Sequence, residues 1–271
     1  MPFVSAAAAA IRSARALVVT AGAGMGVDSG LPDFRGDQGF WKAYPPYERL
    51  GLSFVDAANP AHFERDPAFG WGFYGHRLRL YRDTRPHAGF AILLRWIERF
   101  GLSAFVVTSN VDGQFQKAGF APERVFEVHG SIHYLQCTEP CSGTIWANEE
   151  DVPVEPATMR ARRVPRCIRC RAVARPNILM FGDGAWLETR SDAQRARFED
   201  FLEAQAAAHL TVIELGAGSA VPTIRWHSER LGSRPGATVL RINPSEPEIE
   251  QPHISIAMGA LEALERIDTA L

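Results

Sequence analysis

Ala16-Leu-Val-Val-Thr-Ala21 runs without a break into Gly22-Ala23-Gly24. A short, nearly continuous apolar run ending in glycine reads as a strand buried on both faces, followed by a tight turn. The pattern recurs along the chain. Residues 104–108 (AFVVT) lead into Ser109-Asn110-Val111-Asp112, and residues 125–128 (VFEV) end at His129-Gly130. Residues 210–215 (LTVIEL) end at Gly216-Ala217-Gly218, and residues 237–242 (ATVLRI) end at Asn243-Pro244. Helical patterns lie between these runs, at 90–100, 192–208 and 224–231. Such alternation predicts an α/β fold built on a doubly wound parallel sheet. Ligands bind such sheets beyond the carboxyl ends of the strands. The Gly, Asn, Asp and His residues at these strand ends are therefore the expected site.

Two stretches break the alternation. Residues 38–88 are rich in aromatics and proline and read as a helical insertion. Residues 134–176 hold all four cysteines, as Cys137-Thr-Glu-Pro-Cys141 and Cys167-Ile-Arg-Cys170. Two close pairs of thiolates on knuckle-like turns supply a complete tetrahedral ligand set for zinc. Four thiolates leave no open position, so the metal is expected to be structural. Arg160, Arg162, Arg163, Arg166, Arg169 and Arg171 crowd the second pair. They read as a solvated basic face or as a docking patch for an acidic partner or nucleic acid.

Composition sets the outer limits. With 29 Lys plus Arg against 31 Asp plus Glu, the net charge of −2 argues against a nucleic-acid-coating surface. No apolar run approaches the roughly 18 residues of a membrane span. The alanine run near the N-terminus lacks a basic n-region and is broken by Arg12 and Arg15, so it reads as a helix rather than a signal peptide. Four cysteines without a secretory signal point to a reducing compartment, and the expected location is cytoplasmic.

The loop after the first strand continues as Gly22-Ala-Gly-Met-Gly-Val-Asp-Ser-Gly-Leu-Pro-Asp33-Phe34-Arg35-Gly, then Gly39-Phe40-Trp41. Gly22-x-Gly24 alone is a weak phosphate-loop signal, and Val27 stands where a third fingerprint glycine would fall. The whole segment, however, resembles the sirtuin signature GAG…SGIPDFRG. Thr108-Ser-Asn-Val-Asp112 resembles the family's TQNID, and Val128-His129-Gly130 its catalytic HG. Residues 165–170 followed by 175–183 (RPNILMFGD) resemble the zinc knuckle and the strand after it. Gly216-Ala217-Gly218 and Ile242-Asn243 fall where GTS and IN are expected. The resemblance covers essentially the whole chain in order.

The resemblance implies a Rossmann-like NAD-binding domain from 1–37, 89–133 and 177–271, with the helical insertion at 38–88 and the zinc-binding module at 134–176. It implies an NAD-dependent protein-lysine deacylase that releases nicotinamide and passes the acyl group to ADP-ribose. His129 would be the general base, Asn110 would hold a water and the ribose, and Asp112 would bind the nicotinamide amide. Gly22, Ala23, Gly24, Asp33, Phe34, Arg35, Trp41 and Ser109 would line the cofactor, with Gly216, Gly218 and Asn243 at its adenosine half. Ile178 through Phe181 would pair with the substrate peptide as an added strand. Ala58, Tyr74 and Arg77 match the spacing with which desuccinylase and demalonylase members bind a distal carboxylate. An arginine and a phenol three residues apart share a helix face and suit that group.

The sequence also departs from the family. Ser109 replaces Gln, Gly26 replaces Ser, Ala217 and Gly218 replace Thr and Ser, Pro222 comes one residue early, and Asn177 stands where His is usual. Two other readings stay open. One is an NAD glycohydrolase or mono-ADP-ribosyltransferase on the same fold; the other is a zinc-dependent binding module with a vestigial NAD site.

Overall fold

The computed structural model describes residues 2–33, 36–139 and 141–271. In chain order the strands are β1 (Ala16–Ala21), β2 (Ser103–Thr108), β3 (Val125–Glu127), β4 (Gly130–Cys137), β5 (Ile145–Ala147), β6 (Val154–Glu155), β7 (Arg160–Ala161), β8 (Ala174–Ile178), β9 (Leu210–Leu215), β10 (Thr238–Ile242) and β11 (Ile254–Ile256). Every residue of β1 and β9 is buried, as continuous apolar runs require of central parallel strands. They belong to a six-stranded sheet in the order β11-β10-β9-β1-β2-β3, and each of its pairings is parallel.

Alternation along β1 divides the core in two. Leu17 and Val19 pack with Ile11, Leu93, Trp96 and Leu264 from helices Pro2–Ser13, Ala88–Arg99 and Ala260–Ala270. Val18 turns to the other face, with Phe105, Phe198, Phe201, Ile224 and Leu231, over helices Thr189–Ala204 and Thr223–Gly232. The strand order reverses beside β1, where the chain leaves toward β2 on one side and later returns as β9 on the other. Ala21 sits level with both Thr108 and Leu215, so the loops after these three strands open at one edge.

The short edge strand β11 was not expected from the sequence, since Ile254-Ser-Ile256 is too brief to stand out. The two irregular stretches also prove to be joined. Tyr44, Tyr47, Trp71, Phe73 and Tyr74 from residues 38–88 share one core with Ile132, Leu135, Ala174 and Ile178. The Trp71 indole donates to the Ala174 carbonyl at 2.7 Å, and Arg160 forks onto both oxygens of Asp66 at 2.7 Å. The boundaries expected at 133/134 and 176/177 fall inside β4 and β8, which pair antiparallel with β5 outside them.

Candidate active site

The first glycine loop and the loop after β9 meet backbone to backbone. A Cβ on Gly22 would lie 2.8 Å from the Gly216 carbonyl oxygen, and one on Gly216, at φ +60, would lie 2.4 Å from the Gly24 Cα. Only glycine fits either place. The Gly24 amide donates to the Gly216 carbonyl at 3.0 Å, so it ties the loops together. Ala23 opens a short 3₁₀ helix, Ala23–Ser29. Around Gly218 the space a Cβ would take is open, which leaves room for a ligand against the backbone. Gly26, where the resembling family carries Ser, packs so closely on Leu31 that a Cβ would lie 3.2 Å from it.

Beyond β2, Ser109 donates its amide to the Ala21 carbonyl, and the Asn110 side chain donates to the Gly22 carbonyl at 2.9 Å. Asn110 therefore bridges the first two strand ends. Asp112 is buried, and its Oδ1 accepts the Gln114 amide at 2.9 Å. Burial pushes its carboxyl up to about 6; nearby Glu127 adds to the rise, while the Gln114 amide and Arg77 oppose it. His129 follows β3 half-buried, and its carbonyl accepts the Leu179 amide at 3.0 Å. Burial lowers its pKa below the ordinary histidine value, as does the facing His227 of helix Thr223–Gly232. The imidazole is thus neutral near pH 7 and able to accept a proton.

Asn243 is fully buried, and its side chain is engaged within the protein. It donates to the Ala217 carbonyl at 2.9 Å and accepts the amides of Ser245 and Glu246. Glu246 in turn accepts the Ser219 amide at 2.8 Å and pairs with Arg225, so the loop lacking Thr and Ser is held from outside. Trp41 packs against the core that residues 38–88 share with β4 and β8, and donates its indole N–H to the Leu52 carbonyl at 2.7 Å. Asp33 is half-buried at the end of the described part of the first loop. Phe34 and Arg35 lie outside the described residues.

Ala58, Tyr74 and Arg77 are all buried. The Arg77 guanidinium donates to the Tyr81 phenol from Nε at 2.9 Å and from Nη2 at 2.7 Å. Ala58 accepts the Phe181 amide at 3.2 Å, which brings the loop after β8 against the insertion. The extended segment expected from Ile178 through Phe181 stops at Ile178. Its pairing with β4 ends there, a turn follows at residues 181–182, and then comes Asp183. Asp183 forks onto Arg175 at 2.7 and 2.9 Å and accepts the amides of Met180 and Ala185. Leu179 and Phe181 remain exposed on that turn.

The four cysteine sulfurs lie within 4.8 Å of one another, with Cys137–Cys170 and Cys141–Cys167 each at 3.6 Å. Four sulfurs about 2.3 Å from a tetrahedral zinc are about 3.8 Å apart, so the set fits that ion. Burial would raise the Cys167 thiol, yet the Cys170 and Arg169 amides pointing at its sulfur bring it down to about 6. Three of the six nearby arginines are matched: Arg160 to Asp66, Arg162 to Glu155 and Arg163 to Glu150.

Sequence reasoning missed Tyr81, Glu127 and His227. Tyr81 lies four residues after Arg77, a spacing that marks a shared helix face. Glu127, an acid inside an apolar strand, is held by Arg190 and Gln194. His227 carried no local signal, because only the fold brings it to His129.

The model of the Sir2 family matches residues 22–210. A relative from Aquifex aeolicus (strain VF5), named NAD-dependent protein deacylase, is 29% identical over 86% of this chain and 85% of its own length. NAD-dependent protein deacylase 1 of Caldanaerobacter subterraneus subsp. tengcongensis is 30% identical over 90% of this chain and 89% of its own. Among solved structures, a Sir2 homolog–NAD complex superposes with a TM-score of 0.72 at 23% identity, covering 98% of this chain and 93% of that one. At that identity it speaks for the fold alone.

Proposed function

This chain belongs to the Sir2 family and is an NAD-dependent protein deacylase, and we propose that it prefers lysines carrying an acidic acyl group, succinyl or malonyl. The observation that carries the preference is Arg77, a buried cation whose guanidinium carbon lies 5.7 Å from the Tyr74 ring centre. A guanidinium in low dielectric is a strong partner for a carboxylate that can bring its own charge to it.

The paired glycine loops, the open space at Gly218 and the polar strand ends fit a dinucleotide lying across the edge where the strand order reverses. When bound, NAD supplies the activated ribose that releases nicotinamide and takes up the acyl group. His129, neutral near pH 7, accepts the proton of a ribose hydroxyl. Asn110 orients the ribose while it holds Gly22, and Asp112 receives the nicotinamide amide. Asp33, with Phe34 and Arg35 beyond the described residues, would line the cofactor together with Trp41, and Asn243 braces the adenosine loop through the Ala217 carbonyl. Residues 178–181, where the edge strand β8 ends, take the substrate peptide as an added strand. Zinc on Cys137, Cys141, Cys167 and Cys170 holds the module that β8 closes. Four thiols gathered for a metal suit a reducing compartment, and we place the protein in the cytoplasm. The charge left on exposed Arg166, Arg169 and Arg171 suits an acidic partner.

Succinyl-, malonyl- and acetyl-lysine forms of one peptide, incubated with NAD beside a His129→Ala variant, test this by product mass. The expected result is preferential removal of the acidic groups, with O-acyl-ADP-ribose formed only when His129 is present. Preference for acetyl would refute the acyl assignment, and nicotinamide release without deacylation would favour the glycohydrolase or transferase.

A further inference from the structure

His87 stands where the helical insertion returns to the sheet, at the N-terminus of helix Ala88–Arg99. Its Nδ1 accepts the Gly89 amide at 3.0 Å and so caps that helix. A ring nitrogen that accepts an amide carries no proton, which places the proton on Nε2. Nε2 lies 3.0 Å from the Met25 carbonyl and donates to it. Burial holds the imidazole below the ordinary histidine pKa, although the Met25 carbonyl, Asp28 and Glu265 all favour its charged form. The backbone amide of His87 donates to Ser29 Oγ at 3.0 Å. One residue therefore holds the 3₁₀ helix Ala23–Ser29 at two points, Met25 and its last residue.

This hold reaches the site through the backbone. Met25 donates its own amide to the Gly22 carbonyl at 3.0 Å, and the same carbonyl accepts the Asn110 side chain at 2.9 Å. Hydrogen bonds in such a chain reinforce one another. The ring itself is fixed in place. Its centre lies 4.9 Å from that of Phe90, and a Cβ on Gly89 would lie 2.5 Å from its Cε1. The helix behind it is packed onto β1 through Leu93 and Trp96, which makes it a firm support.

We infer that His87 is a positioning residue for the cofactor, whose Nε2–H bond to Met25 sets the Gly22–Gly24 loop in the shape that receives the dinucleotide. The inference rests on the placing of NAD against that loop given above. His87 acts through Met25, so its loss costs capture of NAD, which must then order the loop itself. The acyl-transfer step, once NAD is bound, is spared.

The test measures Kd for NAD by calorimetry, Tm, and kcat at saturating NAD and acyl-lysine peptide, for the wild type, His87→Asn, His87→Gln and Ala23→Asp. Asparagine puts an acceptor where Nδ1 was and keeps the cap, but falls short of Met25. His87→Asn should therefore hold Tm and kcat while raising Kd for NAD about fivefold. Glutamine reaches Met25 with an N–H but gives up the cap, so His87→Gln should recover most of the affinity at a lower Tm. Ala23 is exposed on the loop, and a carboxylate there should repel the cofactor's diphosphate whatever His87 does. If Ala23→Asp weakens NAD binding while His87→Asn binds as the wild type does, the role of His87 is overturned and the placing of NAD stands. A fall in kcat as large as the loss of affinity, or a Gln variant that binds no better than Asn, overturns it too. If neither Ala23→Asp nor His87→Asn alters Kd, the placing of NAD on this loop fails and this inference with it.

Discussion

His129 and Asp112 are moved in opposite directions from their ordinary charge states by the same cause, removal from water. For His129, the acid limb of kcat/KM against pH should fall below the ordinary histidine value of about 6.5. Replacing the facing His227 with Gln should raise that limb part of the way back, since burial remains; a pH–rate profile of the variant checks this. For Asp112 the folded pKa is raised, so its contribution to stability is fully present below the unfolded value and is lost as pH rises through about 6. At pH 7.5 the buried carboxylate thus weakens the fold. Asp112→Asn keeps an oxygen for the Gln114 amide, and should stabilise the protein by about 2 kcal/mol at that pH while losing turnover. Urea unfolding at pH 7.5 and at pH 4.5 reads the difference, which should shrink at the lower pH.

Helix Pro67–Asp83 carries Tyr74 and Arg77, the residues of the proposed acyl pocket, and it lies unusually close to the β6–β7 hairpin. A Cβ on Gly72 would sit 1.7 Å from the Met159 carbonyl oxygen, and one on Gly75 2.8 Å from Val152 Cγ1. Gly72→Ala should push the helix off the hairpin and destabilise the protein by about 3 kcal/mol, measured as a fall in the urea midpoint. In the sequence, β1, β2, β3, β9 and β10 were legible because each is an apolar run ending in a polar or glycine turn. So were the cysteine pairs and the residues at the strand ends. The Gly72–Met159 contact was not, because it joins segments with no shared periodicity, and a glycine in a helix says nothing of what lies beside it. Tyr81 was within reach by spacing alone. The stop at Ile178 was hidden because it is set by where the partner strand β4 begins, at Gly130, which the residues of the segment do not reveal.

Across the whole molecule, the zinc module and the helical insertion stand or fall together, because they share one core and the Trp71–Ala174 and Arg160–Asp66 links. Chelation should therefore expose residues 138–173 to protease and loosen helix Pro67–Asp83 with them, while the six-stranded sheet persists. Deacylation should be lost, although the metal touches no reacting atom. Limited proteolysis with metal analysis follows both effects, and a chelated protein still protected over 138–173 would contradict the zinc assignment. β4 leaves at Gly130 and β8 returns at Ile178 as its paired neighbour, with a Cβ on Gly130 only 2.1 Å from the Asn177 carbonyl oxygen. The dinucleotide edge thus sees two adjoining chain ends, whatever the length between them, and closing so long a loop there adds little entropic cost beyond that of a shorter one. That makes the junction a natural splice site for chimaeras, in which a foreign knuckle and peptide shelf could be exchanged while the sugar chemistry is inherited unchanged.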